Sequence, residues 1–204
     1  MNDLYVSLSQ STSSQVNVQE KVAALLYFES IIVNSQISNR LINSVFMTLL
    51  VRMLKSIKTP QVRVRVCSCL GLLIRHSTVI DNEVAESEVC TVLCEVLMKE
   101  TNEKVRRKAV AALGEFMFYA ATQLDDDQAD PCWEIKDEAV NGIIKALRVQ
   151  GDSDFIPDET VVFYAVKTLE NITAQSNSAG GRFATVESAN YLLQIFLGIH
   201  TPQA

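Results

Sequence analysis

Glycine and proline are scarce in this chain, 7 and 4 residues among 204, and aromatic side chains make up only 7%. That leaves little material for the turns and half-buried pleats of a β fold, and an all-α fold is expected. No stretch approaches the roughly 18 consecutive apolar residues that a spanning helix needs; the longest runs are broken by Arg52, Lys55, Arg75 and Glu95. An N-terminal apolar signal segment is missing too. The five cysteines, Cys67, Cys69, Cys90, Cys94 and Cys132, are an odd number, so a disulfide framework is not expected, and the reading is a soluble chain of a reducing compartment, the cytoplasm. An excess of positive charge is also lacking: 18 Lys and Arg stand against 24 Asp and Glu, a net charge of -6. Nonspecific attraction to nucleic acid or to an anionic membrane surface needs a positive field, so neither is expected and a protein partner is.

What the chain does have is a repeated helix. Val62, Val66, Cys67, Leu70 and Gly71 recur 43 residues later as Val105, Ala109, Val110, Leu113 and Gly114. The same template reads 44 residues earlier as Val18, Val22, Ala23 and Leu26, and downstream as Val161, Ala165, Val166 and Leu169. Apolar residues at i, i+4, i+5 and i+8 line one helical face, which must stack on neighbours to be buried. The expected fold is a right-handed α-solenoid of HEAT or armadillo type.

The reading along the chain is a flexible N-terminal tail over 1–14, one repeat array over 15–200, and a tail over 201–204. Template helices are expected near 16–33, 60–76, 102–122 and 158–175. Between them lie second helices over 40–57, 84–99 and 133–149, and a last one over 184–199 with Tyr191, Leu192, Ile195 and Phe196 facing inward. The 56 residues between Leu113 and Leu169 exceed the period, and the excess falls in two polar stretches, 123–131 and 150–158. Residues 176–181 read as a flexible linker. Polar caps are missing at both ends, so the array is expected to be a piece, or a short isoform, of a longer solenoid.

The pattern Val-Arg-x4-Val/Ala-x2-Leu-Gly, at Val62-Arg63 to Leu70-Gly71 and Val105-Arg106 to Leu113-Gly114, resembles the second helix of HEAT and armadillo repeats. In those families an Arg near the helix start often forms a structural ladder with an acidic residue of a neighbouring unit, and here Glu103 and Glu159 are possible partners. The runs Lys104 to Gln123 and Arg65 to His76 resemble the armadillo-type region that follows the kinase-like domain in the fourth member of the Unc-51-like kinase family, related to the plant RUNKEL and Fused-type proteins. The resemblance spans roughly residues 40 to 175. It implies a non-catalytic scaffold associated with a pseudokinase and linked to microtubule-based structures, cilia or cell division. No Gly-rich loop, His-Arg-Asp or Asp-Phe-Gly is present, so the kinase part itself is absent.

Candidate binding residues are the basic cluster at one template start, Arg106, Arg107 and Lys108 beside Lys104, with Arg63 and Arg65 one repeat earlier. They form either a positive stripe that receives an acidic peptide or helical segment, or solvated helix starts with one structural Arg each. Basic charge at a helix N-terminus opposes the helix dipole by ~0.3–1 kcal/mol per charge. Phe163 and Tyr164 interrupt an otherwise aliphatic template and are candidates for an apolar contact. Asp125, Asp126, Asp127, Asp130, Asp152 and Asp154 lack the Gly and Glu of a calcium-binding loop and read as solvated. Trp133 is either a core plug or an exposed anchor. Cys90 and Cys94 share a helix face, but His76 and His200 do not complete a zinc set. No nucleophile triad is visible, and Asn171-Ile-Thr173, a glycosylation sequon, falls inside a predicted helix. No cofactor, metal or enzyme activity is expected. The alternative to a binding scaffold is a spacer or dimerisation block of a longer solenoid.

Overall fold

The computed structural model describes residues 2–9, 15–124, 131–149 and 156–198, and among these every regular element is a helix. In chain order they are α1 (Asn2–Ser9), α2 (Gln15–Ile31), α3 (Ser35–Ile42), α4 (Val45–Ser56), α5 (Pro60–His76), α6 (Asn82–Glu86), α7 (Val89–Lys99) and α8 (Glu103–Leu124). A 3-10 turn at Pro131–Trp133 follows, then α9 (Asp137–Ala146), α10 (Glu159–Gln175), α11 (Asn177–Gly181) and α12 (Val186–Phe196). The four long helices α2, α5, α8 and α10 pack in that order as one row. A second row is formed by α4, α7 and α9, which pack respectively on α5, α8 and α10.

The template explains the first row. Val62, Val66, Cys67 and Leu70 of α5 are buried, as are Val105, Ala109, Val110 and Leu113 of α8 and Val161, Ala165 and Leu169 of α10. Each fully enclosed Leu contributes about 1.5–3 kcal/mol. The Leu-Gly pair has a steric reason. A Cβ at Gly71 would lie 3.1 Å from the Ala112 backbone, and one at Gly114 would collide with Thr168 Oγ1, so each glycine lets the next long helix approach closely.

The first copy runs in a different register. Lys21, Leu25, Phe28 and Ile32 are the enclosed positions, while Ala23 and Leu26 are exposed and Val18 and Val22 half-buried. Leu25 thus answers to Leu70 at an interval of 45 residues rather than 44. This helix is apolar around much of its circumference, so both registers were open to it. The stacking of Phe28 on Phe46 at 5.5 Å between centroids anchors the observed one. Lys21 is carried inward, where its Nζ donates to the Leu8 carbonyl at 2.7 Å, and burial pushes its pKa down.

Several boundaries also differ from expectation. Residues 2–9 of the expected tail are helix α1, which packs on α2 and α4 and buries Leu8. The single helix expected over 40–57 is two, because Asn43 ends α3 and Ser44 caps α4 by accepting from Phe46 N–H at 3.3 Å. The linker at 176–181 holds the short helix α11, capped by Ser176. At α12 the expected inward face is only half realised: Tyr191, Leu192 and Ile195 are half-buried, but Phe196 is 86% exposed. Gly198, at φ 61°, follows as a residue able to take the left-handed turn that ends a helix. Residues 1 and 10–14 of the expected N-terminal tail, 199–200 at the end of the expected array and the expected tail 201–204 lie outside the described residues.

Candidate protein-binding face

The basic residues at the template starts form a repeated internal ladder. Arg63 of α5 is buried; its Nε donates to Glu100 Oε2 at 2.9 Å and its Nη1 to the carbonyls of Leu54 at 2.6 Å and Ile57 at 3.0 Å. Glu100 in turn accepts from the N–H groups of Thr101 and Asn102, both at 3.0 Å, just before α8 begins. Burial alone would raise the Glu100 pKa, but the N–H bonds of Asn102 and Thr101 and the charge and hydrogen bond of Arg63 together bring it below the usual value. One unit later Arg107 Nε reaches both Asp158 oxygens at 3.0 Å, and Asp158 caps α10 by accepting from Thr160 and Val161. Each rung therefore ties the start of one long helix to the residue that opens the next. Arg65 pairs backwards, with Glu29 of α2 at 3.2 Å.

Of the two acids singled out for such a ladder, Glu103 bonds Arg107 from within the same helix, at 3.0 Å. Glu159 makes no ion pair among the described residues, and its neighbour Asp158 holds the rung instead. The Val-Arg pattern pointed to Arg63 and Arg106; Arg63 does form a rung, but the second is made by Arg107, one residue on, and both partner acids, Glu100 and Asp158, lie in the connections, where the period is lost.

Three of the five candidate charge donors, Arg63, Arg65 and Arg107, are thus engaged inside the chain. Lys104, Arg106 and Lys108 have no ion pair among the described residues. Arg106 is half-buried in a recess with Lys145, Arg148, Ile156 and Asp158, whereas Lys108 is exposed. Lys104 and Lys108 precede Ala111 and Glu115 at i, i+4, i+7 and i+11, on one stripe of α8.

That stripe leads into a groove of about 460 Å³ shared by α5, α8 and α10. Its lining joins Arg75, Glu115, Phe118, Phe163, Tyr164 and Lys167. Phe163 is 62% exposed and meets Tyr164 edge-on at 5.5 Å between centroids. Glu115 stands 3.7 Å from Arg75; burial raises its pKa, and the Arg75 charge only partly offsets this. Phe163 and Tyr164 therefore share one site, with Lys108 on the same stripe leading to it and Arg106 in a separate recess. Arg75, Phe118 and Lys167 were missed by sequence reasoning. Phase counting from Lys108 along α8 reaches Glu115 and Phe118, but the contributions of α5 and α10 depend on how the helices slide past one another.

The other marked residues are structural. Trp133 is buried against Phe116 and Tyr119, with ring centroids 6.1 and 5.0 Å away, and its Nε1 donates to Asn82 Oδ1 at 2.9 Å. Cys67 is enclosed, and burial pushes its thiol up to about 12. Cys90 and Cys94 share a hydrogen bond that, with burial, raises the Cys94 thiol. No group of three or more His, Cys, Asp or Glu able to hold a metal occurs among the described residues. The aspartates at 125–127, 130, 152 and 154 lie outside the described residues. Among the described residues no helix is long and apolar enough to cross a membrane.

No family model matches the chain. Relatives that include two serine/threonine-protein kinases do match it. The chain is 31% identical over 208 residues to the serine/threonine-protein kinase RUNKEL of Arabidopsis thaliana, covering 96% of this chain and 15% of that protein. It is 24% identical over 191 residues to the serine/threonine-protein kinase ULK4 of Mus musculus, covering 93% of this chain and 14% of that protein. The chain is thus related to RUNKEL and ULK4 and spans a small part of their length. A kinase carries its ATP-binding lysine on a β-strand; the described residues form no strand, so they are not a kinase fold. The crystal structure of an engineered protein aligns over 100% of this chain and 91% of its own, with a TM-score of 0.50 and 16% identity, a likeness of fold alone.

Proposed function

We propose that this chain is a segment of a right-handed HEAT or armadillo-type α-solenoid that serves a pseudokinase-like protein as a non-catalytic protein-binding scaffold. The observation that carries the reading is the groove across α5, α8 and α10, where Phe163 stands 62% exposed beside cationic Arg75 and Lys167. Aromatic anchors near cations suit a peptide or helical segment with an apolar residue flanked by acidic ones. The unpaired Lys104 and Lys108 extend that field along α8, and Arg106 adds to it from its recess. Arg63, Arg65 and Arg107 position the helices that build the face. The relation to RUNKEL and ULK4 supports a role inside a larger kinase-like protein. A cytoplasmic site of action at microtubule-based or ciliary structures is the reading that the resemblance implies.

The test is affinity capture from a ciliated-cell lysate, comparing the chain with a Phe163→Ser, Lys108→Glu variant. Both substitutions fall on exposed side chains, so helical circular dichroism should be unchanged. Partners that depend on this face disappear from the variant; partners retained by both baits overturn the assignment. Reversing Arg107 is avoided because it would set a third carboxylate beside Glu103 and Asp158.

One observation favours a second reading, the spacer or dimerisation block. Val186, Leu193, Phe196 and Leu197 are all exposed on or just after α12, an apolar surface suited to stacking. Sedimentation equilibrium separates the two, since a stacking block self-associates and loses that behaviour on Phe196→Ser.

A further inference from the structure

A second groove, of about 850 Å³, lies on the other row of helices, between α4 and the connection that carries α6. One wall is a continuous face of α4, Ser44, Met47, Thr48, Val51, Arg52 and Lys55, at i, i+3, i+4, i+7, i+8 and i+11. The floor is apolar, with Ile42, Met47, Val51 and Val84 buried beneath it. The other wall is acidic: Asp81, Glu83, Glu86 and Glu88 face Arg52 and Lys55 across the opening. Lys55 is committed to Glu88 at 2.8 Å at one end. Asp81, Glu83 and Glu86 have no ion pair among the described residues.

The acidic wall is held in place before anything docks. Asn39 Oδ1 accepts from Thr78 N–H at 2.7 Å and Val79 N–H at 3.3 Å, and Asn43 Oδ1 accepts from Asp81 N–H at 2.9 Å. Tyr119 Oη accepts from Ile80 N–H at 2.9 Å, and Trp133 holds Asn82. The segment opening the wall is therefore clamped from α3 on one side and from α8 and Trp133 on the other, which lowers the ordering cost of binding. Val45, on the same side of α4 as Thr48 and Arg52, is 64% exposed and extends the apolar surface beyond the floor.

We infer that this groove docks a basic amphipathic helix of a partner protein, its apolar face on Met47, Val51 and Val84 and its Lys or Arg side chains on Asp81, Glu83 and Glu86. The face of α4 from Ser44 to Lys55 runs roughly 17 Å, which matches about three turns of helix. That is the span of an i, i+3, i+4, i+7 anchor set in a groove. The charge is opposite to that suited to the α5–α8–α10 face, so the two grooves select different segments, and this inference stands apart from the function proposed above.

The test uses a fluorescein-labelled 14-residue peptide of Leu and Lys, with Leu at helical spacing, titrated with the 204-residue chain and followed by anisotropy. Saturable binding is expected, weakened at least tenfold by Glu83→Lys with Glu86→Lys, and at least tenfold by Thr48→Trp, which fills the groove without changing charge. A peptide of the same composition with its period scrambled should bind at least tenfold more weakly. All three positions are exposed, and the two variants are read independently. Binding that survives Thr48→Trp, or that is equal for the scrambled peptide, means adsorption to an acidic surface and overturns the proposal; so does absence of saturable binding to the unaltered chain.

Discussion

The junction of α5 with α8 and the end of the described chain at α12 are made of similar amphipathic helices that meet different fates. At the junction Gly71 admits Ala112 at contact distance and Arg63 is locked to Glu100. At α12 the large apolar side chains of Leu193 and Phe196 stand in solvent. An apolar stripe thus records that a helix can be covered, while steric and ionic complementarity show where it is covered. Stability should be concentrated at the junctions between long helices and nearly absent from the α12 surface.

The largest effect expected from breaking this contrast is at Arg63. Arg63→Ala removes a pair whose side chains are only 10% and 15% exposed and orphans two backbone carbonyls. The loss should be about 3–5 kcal/mol in urea unfolding. Lys167→Ala, whose partner Glu170 is exposed on the same helix, should cost less than about 0.5 kcal/mol. Similar losses for the two would show that the ladder does not hold the row together.

The glycines come next. Gly114→Val places a branched side chain where a Cβ alone already meets Thr168 Oγ1, so a loss of about 2–3 kcal/mol is expected. Double substitution with Thr168→Ala should recover part of it, because the hydroxyl is the obstructing atom. Gly181→Ala, where a Cβ meets nothing within 4 Å, should change stability by less than about 0.5 kcal/mol.

These same places show how much was legible. Apolar spacing made the all-helical fold and the helices over 60–76 and 158–175 legible, and Leu-Gly at 70–71 and 113–114 marked the close junctions, because steric demand is local. The register of α2 could not, since its apolar residues satisfy two phases and the choice rests on Phe46, far away in sequence. Lys21 in a core position is invisible to any hydrophobic template, and its use depends on the end of α1 being near. Of the candidate site, Phe163 and Tyr164 were legible as aromatic interruptions. The engagement of Arg63 and Arg107 was not, because Glu100 and Asp158 sit in aperiodic connections, nor was that of Arg65, whose pairing with Glu29 of α2 depends on how α2 and α5 pack.

Acidification should act on the long-helix region with two opposite signs, each a smaller effect than those above. The Glu100 pKa is lowered in the folded chain, so its stabilising contribution is present above the unfolded value near 4.5 and is lost as pH falls through the folded value. Glu115 has the opposite sign. Its pKa is raised, so it costs stability above the folded value and ceases to as pH falls from there towards 4.5. Glu115→Gln should therefore raise Tm at pH 7 and leave it unchanged near pH 4, whereas Arg63→Ala should flatten the acid limb that Glu100 produces. Thermal melts of the three proteins between pH 3 and pH 7 check both signs.

The smallest effect sharpens the comparison most. Phe196→Ser removes a large apolar side chain that is 86% exposed, so it gives up almost no burial and the unfolding free energy should move by less than about 0.5 kcal/mol. A loss above about 2 kcal/mol, measured at low concentration, would mean that α12 is covered in solution by a contact within the same chain. A loss that grows with protein concentration would instead place a second copy on it, because association stabilises by mass action. The same substitution made alongside Gly114→Val should be additive, since the two positions share no contact. Additivity would establish that the junctions hold the row without help from the exposed end.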